Sequence, residues 1–430
     1  MSTAAGGPAD AGPNGRPLRV LTFTTLFPNA ERPGFGVFVE NRLRKLVASG
    51  AVEARVVAPV PWFPLRSSAF GRYATLARVP AREVRHGIEV HHPRYLAIPK
   101  IGTGVAPRLL AAGALAPLKA ISGAGFEPDL IDAHYFYPDG VAAVRLAAAL
   151  GKPVTITARG TDLNLIADRP GPRRRIQWAA ANADGLITVC RALKDKLVAL
   201  GVEAERVRVL RNGVDLDLFR PVEREEARRR FGIEGPTLVS VGYLIARKGH
   251  DLTIRALGAL SDAVSLVIAG EGPERRQLEA LARSLGLGTR VRFLGNVAHE
   301  ALPALYSAAE AMVLASSREG WANVLLEAMA CGTPVVATNI WGTPEVVTAP
   351  AAGRLADART PQAIAAAITA LLADPPDRAA TRAYAEGFDW RATTEGQIAL
   401  FREILARRAA ARPAAGGYRA GVMAGARIPS

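Results

Sequence analysis

The chain has 430 residues, 49% of them apolar and 6% aromatic, with 54 Lys and Arg against 39 Asp and Glu. That length is generous for one core and suits two domains of a soluble α/β protein. The net charge of +15 does not come with a nucleic-acid-binding motif, so no nucleic acid is expected as a partner.

The N-terminus lacks the apolar run of a signal peptide, and residues 1–16 read as a floppy Ala/Gly/Pro-rich leader. No stretch has the length of a membrane span. The longest candidate, Gly104 to Ile121, is broken by Pro107, Arg108, Pro117 and Lys119. Cys190 and Cys331 have no partner at metal or redox spacing, which implies a reduced, cytoplasmic protein. The six histidines form no ligand cluster; His86, His91 and His92 lie in a strand-like HGIEVHH.

Charge is unevenly spread. Residues 1–220 carry 30 basic against 18 acidic side chains, and residues 221–430 carry 24 against 21. The segment VPWFPLRSSAFGRYATLARVP interleaves Trp62, Phe63, Phe70 and Tyr73 with Arg66, Arg72 and Arg78. A basic, aromatic surface suits an anionic membrane or a phosphorylated lipid acceptor; an arginine-inflating genome composition is the plainer reading.

In chain order, LRVLTFT (Leu18–Thr24) predicts a first strand, and Val37–Ser49 a helix. Between them lie Gly34 and Gly36, where glycine lets a backbone approach a ligand and exposes helix N–H groups to phosphate. Strands are expected at Ala54–Pro59, Ile88–His92, Leu130–Ala133, Val154–Thr157, Gly185–Val189 and Val207–Leu210, with helical patterns between most of them. Such alternation implies a parallel sheet covered on both faces, with ligands beyond the carboxyl ends of its strands. His134 ends one predicted strand, and Arg159 to Asp162 (RGTD) end another. Asp162 reads equally as a helix N-cap or an acceptor contact. RNGVDLDLFRP (Arg211–Pro221) reads as a hinge, and the D-x-D of Asp215 and Asp217 as part of it, not as a metal site.

A second alternation starts at Pro236. VSVGY leads to Gly242 and then to Arg247 and Lys248 in RKGHDL; SLVIAGEGPE carries Gly272; LGNV ends in Val297. The richest stretch is SSREGWANVLLEAMACGTPVVATNIWGTPE (Ser316–Glu345). Its polar loop bears Glu319, a helix is predicted from Ala322 to Cys331 with Gly332 as its C-cap, and a buried strand follows from Pro334 to Thr338. Glu327 follows Glu319 with seven residues between. The helix start at Asn323 and Val324 offers free N–H groups to an anion. Pro361–Leu372 and Trp390–Arg408 predict further helices, the last amphipathic, and residues 409–430 a disordered tail.

The string EGWANVLLEAMACGTPVVAT resembles the retaining nucleotide-sugar glycosyltransferases of family 4, and NGVD-x3-F-x-P at the hinge is similar to theirs. The resemblance implies a GT-B fold: two Rossmann-like doubly wound domains, 17–212 for the acceptor and 213–390 for the donor, with the active site between them and a last helix, 391–408, crossing back. It also implies a UDP- or GDP-sugar donor and no metal or other cofactor. The N-terminal half is similar to enzymes of exopolysaccharide or teichuronic-type synthesis, which implies a lipid-linked or polysaccharide acceptor and peripheral contact with the inner face of the cell membrane.

On this resemblance Lys248, Glu319 and His134 are catalytic. Lys248 holds the diphosphate, Glu319 the sugar and Glu327 the ribose; His134 contacts the transferred sugar. Gly36, Gly242, Arg247, Gly272, Val297, Asn323 and Val324 join Glu327 around the donor, and Gly34, Arg159 and Asp162 lie on the acceptor side. Two departures stand out. The usual G-R-x4-K-G has Tyr243 in place of its arginine, and the usual Gly-Gly before the last glutamate is replaced by Trp341-Gly342-Thr343-Pro344-Glu345. A nucleotide-sugar 2-epimerase of the same fold and a non-catalytic nucleotide-sugar-binding scaffold are the rival readings.

Overall fold

The computed structural model describes residues 15–411, apart from 66, 68, 70 and 98–103, and for residue 72 it describes the backbone alone. The leader and tail expected at the termini fall almost wholly outside these residues, as do Arg66 and Phe70 of the basic aromatic segment. Arg16, counted above with the leader, pairs with Asp129 at 2.7 Å.

Sixteen strands are described: β1 (Leu18–Phe23), β2 (Val52–Val57), β3 (Val60–Pro61), β4 (Arg82–Arg85), β5 (Ile88–His91), β6 (Arg94–Tyr95), β7 (Leu130–His134), β8 (Val154–Ala158), β9 (Gly185–Thr188), β10 (Val207–Val209), β11 (Thr237–Val241), β12 (Ser265–Ala269), β13 (Val291–Gly295), β14 (Ala311–Leu314), β15 (Val335–Thr338) and β16 (Gly353–Ala356). The first sheet runs β10-β9-β8-β7-β1-β2-β5-β4, the second β13-β12-β11-β14-β15-β16, and β3 pairs with β6. Every pairing is parallel except β4 with β5. β7, β8, β9, β11, β14 and β15 are buried at every residue. Helices cover both faces, so even the polar residues of these strands, such as Asp132, His134, Thr155 and Thr157, are buried.

The topology places the site. In the second sheet the strand order reverses between β11 and β14, and in the first between β1 and β7. Ligands of doubly wound folds bind beyond the strand ends at such a switch point. The four loops that leave these strands hold Thr24–Gly36, Tyr135, Gly242–Lys248 and Ser316–Ala322, and the two sets face each other across one cleft.

Two chain crossings join the domains. Val214 N–H donates to the Phe388 carbonyl at 2.9 Å, and a Cβ on Gly213 would stand 2.7 Å from the Trp390 nitrogen. The chain then returns to the first domain as the helix Arg391–Ala410. Leu400 and Ile404 pack with Ile187, and Ile398 and Phe401 join the core behind β1 and β2. Burial of each such side chain contributes about 1.5–3 kcal/mol. The amphipathic pattern expected for this helix is diluted because its buried face also carries Thr393 and Gln397. Thr393 donates to the Arg211 carbonyl, and Gln397 Nε2 to Asp132 Oδ2 at 2.8 Å.

Candidate active site

A cavity of about 460 Å³ lies between the switch points, lined from the second domain by Arg247, Lys248 and Glu319–Val324, and from the first by Phe35, Phe38, Tyr135, Arg159, Thr161 and Asn164, with Asn212 at the crossing. A larger concavity of about 650 Å³, between β16 and the helix Pro361–Ala373, carries none of these groups.

On the second-domain wall the loops after β11 and β14 are tied by Ser317 N–H to the Arg247 carbonyl at 2.8 Å. Glu319, only 7% exposed, accepts from Lys248 Nζ and from Ser316 Oγ, both at 2.7 Å, and Arg247 Nη1 stands 3.7 Å away. Burial alone would raise the Glu319 carboxyl; the charges of Lys248 and Arg247 and these hydrogen bonds outweigh it and hold the group below its ordinary value. Arg247 is also held by donating to the Arg318 carbonyl at 2.9 Å. The helix Asn323–Ala330 has no side-chain cap, so its first turn opens toward the cavity with a positive dipole end.

Glu327 lies one turn further along, outside the cavity lining. It accepts from the Tyr306 hydroxyl at 3.3 Å, and His299 Nε2 is 3.9 Å away. The Glu327 contact raises the His299 pKa against the lowering effect of burial. Val297 is partly buried against the core two residues before His299.

The first-domain wall is a buried network. Arg159 donates from Nη1 to Asn212 Oδ1 at 3.1 Å and from Nη2 to His134 Nδ1 at 2.6 Å. Asn212 Nδ2 donates in turn to Asn323 Oδ1 at 3.3 Å, which links the hinge to the helix start. Behind them His134 Nε2 meets Asp132 Oδ2 at 3.3 Å, and Asp132 also accepts from Thr155 Oγ1 at 2.7 Å. Arg42, fully inside, donates to Gln397 Oε1 at 2.7 Å. Burial, then the Arg159 charge, lowers the His134 pKa to about 4, so the ring is neutral and carries its proton on Nε2, toward Asp132.

Several expected site residues stand elsewhere. His134 is 2% exposed and does not line the cavity; it touches Arg159, which does, so its place is to position that guanidinium. Asp162 is fully buried and accepts from the backbone N–H groups of Phe136, Arg159 and Gly160. It is a turn cap, and the acceptor-contact alternative fails because no oxygen reaches the cavity. Gly34 sits exposed in its loop, while its neighbour Phe35 reaches the cavity. Gly36 has φ +76° and lies 2.5 Å, at its Cβ position, from the Leu26 backbone, so a turn within its own loop demands glycine there. Gly242 and Gly272 serve each other's loops as well. A Cβ on Gly270 would stand 1.9 Å from the Gly242 carbonyl oxygen, and one on Gly272 would stand 2.3 Å from that of Leu244. Neither lines the cavity.

Trp341 takes φ +45° and packs partly buried against the core. The residue that makes a close approach in that loop is Gly342, whose Cβ would lie 2.3 Å from the Gly320 carbonyl oxygen and 3.1 Å from Cys190 Sγ. Glu345 ties the domains by accepting from Ala192 N–H at 3.1 Å and Arg211 Nη2 at 2.6 Å. Asp215 and Asp217 are a turn at the hinge, with Asp217 N–H donating to Asp215 Oδ1 at 3.3 Å.

Sequence reasoning passed over Asn212, Tyr135, Phe35, Phe38 and Trp321. Asn212 was in view within NGVD but read only as hinge. Tyr135 adjoins His134, but its strained φ of +84° leaves no trace in the sequence. Arg159 Nε and Trp321 Nε1 are buried and find no acceptor among the described residues.

Comparison with known proteins identifies the family and the fold. The family model for Glycosyltransferase Family 4 matches residues 33–218, and that for Glycosyl transferases group 1 matches residues 223–388. A D-inositol 3-phosphate glycosyltransferase from Catenulispora acidiphila is 30% identical over 422 residues, 90% of this chain and 96% of that one. A putative teichuronic acid biosynthesis glycosyltransferase from Bacillus subtilis is 29% identical over 333 residues, 76% and 82% of the two chains. Among solved structures, sucrose-phosphate synthase from Thermosynechococcus elongatus has a TM-score of 0.76 at 22% identity, covering 91% of this chain and all of that one. An Anabaena protein, HepE, in complex with UDP-glucose has a TM-score of 0.65 at 20% identity, covering 92% of this chain and 99% of that one. The fold is GT-B.

Proposed function

This chain belongs to the glycosyltransferases of the family 4 and group 1 type, and from that membership we propose that it moves a sugar from a nucleoside diphosphate to a hydroxyl acceptor with retention of configuration. The observation that carries the reading is the Lys248–Glu319–Arg247 cluster at an uncapped helix start. Negative charge develops on the leaving diphosphate, and preorganised cations and N–H dipoles stabilise it where it forms. Lys248, Arg247 and the Asn323–Val324 turn supply that charge from the chain itself, so the reading needs no metal ion. Glu319 holds the sugar hydroxyls. The ribose sits beside Glu327, whose carboxylate keeps acceptor capacity beyond Tyr306, and the base lies near Val297.

The acceptor enters from the first-domain wall. Its oxygens satisfy the unpaired N–H groups of Arg159 and Trp321, which are costly to leave buried without partners. In a front-face route the acceptor hydroxyl attacks the anomeric carbon on the side the diphosphate leaves, and the departing phosphate oxygen takes its proton. A lipid-linked or polysaccharide acceptor fits the exposed apolar side chains of Trp62, Leu65, Leu96 and Val105 on the basic half of the chain. The excess of basic side chains in residues 1–220 and these exposed apolar groups are our reason to place the chain peripherally on an anionic inner leaflet; no helix among the described residues is long and apolar enough to cross a membrane.

The test is a thermal-shift panel of UDP, GDP and their sugars with Glu327→Ala as control, followed by NMR of the product from the donor that binds. Polyprenyl-linked sugars and D-inositol 3-phosphate form the acceptor panel, the latter because of the relatives' names. One nucleotide should raise Tm in the parent and not in the variant, and the product should keep the anomeric configuration. Inverted product would reject the front-face route. Donor turnover without any acceptor would favour the epimerase, and no donor binding the scaffold.

A further inference from the structure

The loop after β1 carries an arginine that nothing above uses. Its backbone is pinned on both sides. Arg32 N–H donates to the Asn29 carbonyl at 2.9 Å and to Asn29 Oδ1 at 3.0 Å, and the Arg32 carbonyl accepts from Phe35 N–H at 3.1 Å. The Arg32 guanidinium lies over the Phe35 ring, 3.6 Å from its centroid, and Phe35 lines the cavity opposite Arg247 and Lys248. The neighbouring Glu31 is taken by Arg78 at 2.8 Å. Among the described residues no carboxylate pairs with Arg32, although it is part-buried. Across the cleft its electrostatic neighbour is the phenol of Tyr243, which is 58% exposed and follows β11.

We propose that Arg32 is a phosphate ligand of the donor, delivered from the first domain across the cleft beside Tyr243. The inference rests on the placement of the diphosphate at Lys248. Charge balance argues for it. Lys248 and Arg247 both face Glu319, so the second-domain cluster presents a single net positive charge, whereas each phosphate of a diphosphate ester carries a negative one. An arginine stacked on a ring keeps its edge N–H groups free, and that planar fork matches phosphate oxygens in pairs. Burial, which lowers the Arg32 pKa, also means that an anion there is met with little screening. Because the ligand comes from the opposite domain, it would engage the donor only when the cleft is closed, and so would couple donor binding to closure.

Calorimetric titration with UDP and UMP, and with GDP and GMP, tests this on the full chain. Arg32→Gln should weaken the bound diphosphate by about 10- to 100-fold and leave the monophosphate within about twofold. Adding Tyr243→Arg to that variant places a guanidinium on the facing wall and should restore most of the lost affinity. Equal diphosphate affinity in Arg32→Gln and parent, with Lys248→Met still weakened, would overturn the Arg32 role alone. If Lys248→Met also bound the diphosphate as the parent does, the donor placement itself would fall, and Arg32 with it.

Discussion

The two walls of the cleft are built on different principles. The second-domain wall is local: Glu319 and Asn323 come from one short segment, and Lys248, in the loop after β11, reaches Glu319. Its two cations pair with the buried Glu319 within the wall and themselves stay partly accessible, ready to be shared with a ligand. The first-domain wall is assembled from afar. Arg159, 9% exposed, is held through His134, Asp132 and Asn212 by Gln397 and Arg42, on the last and first long helices. The second-domain wall offers charge and the first-domain wall shape, and the latter is held by residues from both ends of the chain.

The widest separation between them should come from Lys248→Met. It removes a cation from the site of developing charge, so kcat should fall about 10²- to 10³-fold while Tm moves by no more than a few degrees. Steady-state release of the nucleoside diphosphate reads the first and a melting curve the second. A variant with full kcat would mean that charge is not this wall's contribution. Gln397→Leu should do the reverse. It leaves Asp132 Oδ2 and Arg42 Nε short of a buried partner and should cost about 1–3 kcal/mol in urea unfolding, with the affinity for nucleotide unchanged. Nucleotide binding that fell in step with stability would erase the contrast.

Acidification should sharpen it least. His134 has its pKa lowered to about 4 by burial and by Arg159, against about 6.5 when unfolded. The folded state binds the proton more weakly, so stability is whole above pH 6.5 and declines as pH falls from there toward 4. Of the change between pH 7 and pH 5.5 the His134 share should be a loss of about 1 kcal/mol, beside that of His250, also lowered to about 4, and against the gain from Asp139, raised to about 7; His134→Gln should remove that share in denaturant titrations at the two pH values. An unchanged slope in the variant would show that His134 is not the group responsible.

The same contrast governs what could be read from the sequence. Glu319, Glu327 and Lys248 were legible because short local strings, EGWANVLLE and RKGHDL, carry the resemblance to the family, although two glutamates at that spacing alone read as solvated side chains. The order of strands and helices was legible from local patterns too. The role of His134 was not, since Arg159 comes between it and the cavity only through tertiary packing, and Gln397 contacts Asp132 over a separation of 265 residues. The glycines show a different limit. A sequence marks Gly272 and Gly36 as glycines but not what stands where a side chain would be, which at both is the protein's own backbone; at Gly242 only the Lys248 side chain comes near, at 3.6 Å.

The seam between the domains has a consequence of its own. Gly160, Gly320 and Gly342 meet with main chain against main chain, and a Cβ on Gly320 would stand 2.2 Å from the Arg159 carbonyl oxygen. Contact of this kind carries no charge and no titrating group, so it is indifferent to salt and to pH. The adjoining Arg211–Glu345 pair is sensitive to salt. Added salt should therefore weaken that clasp and leave the main-chain seam beside it as it is.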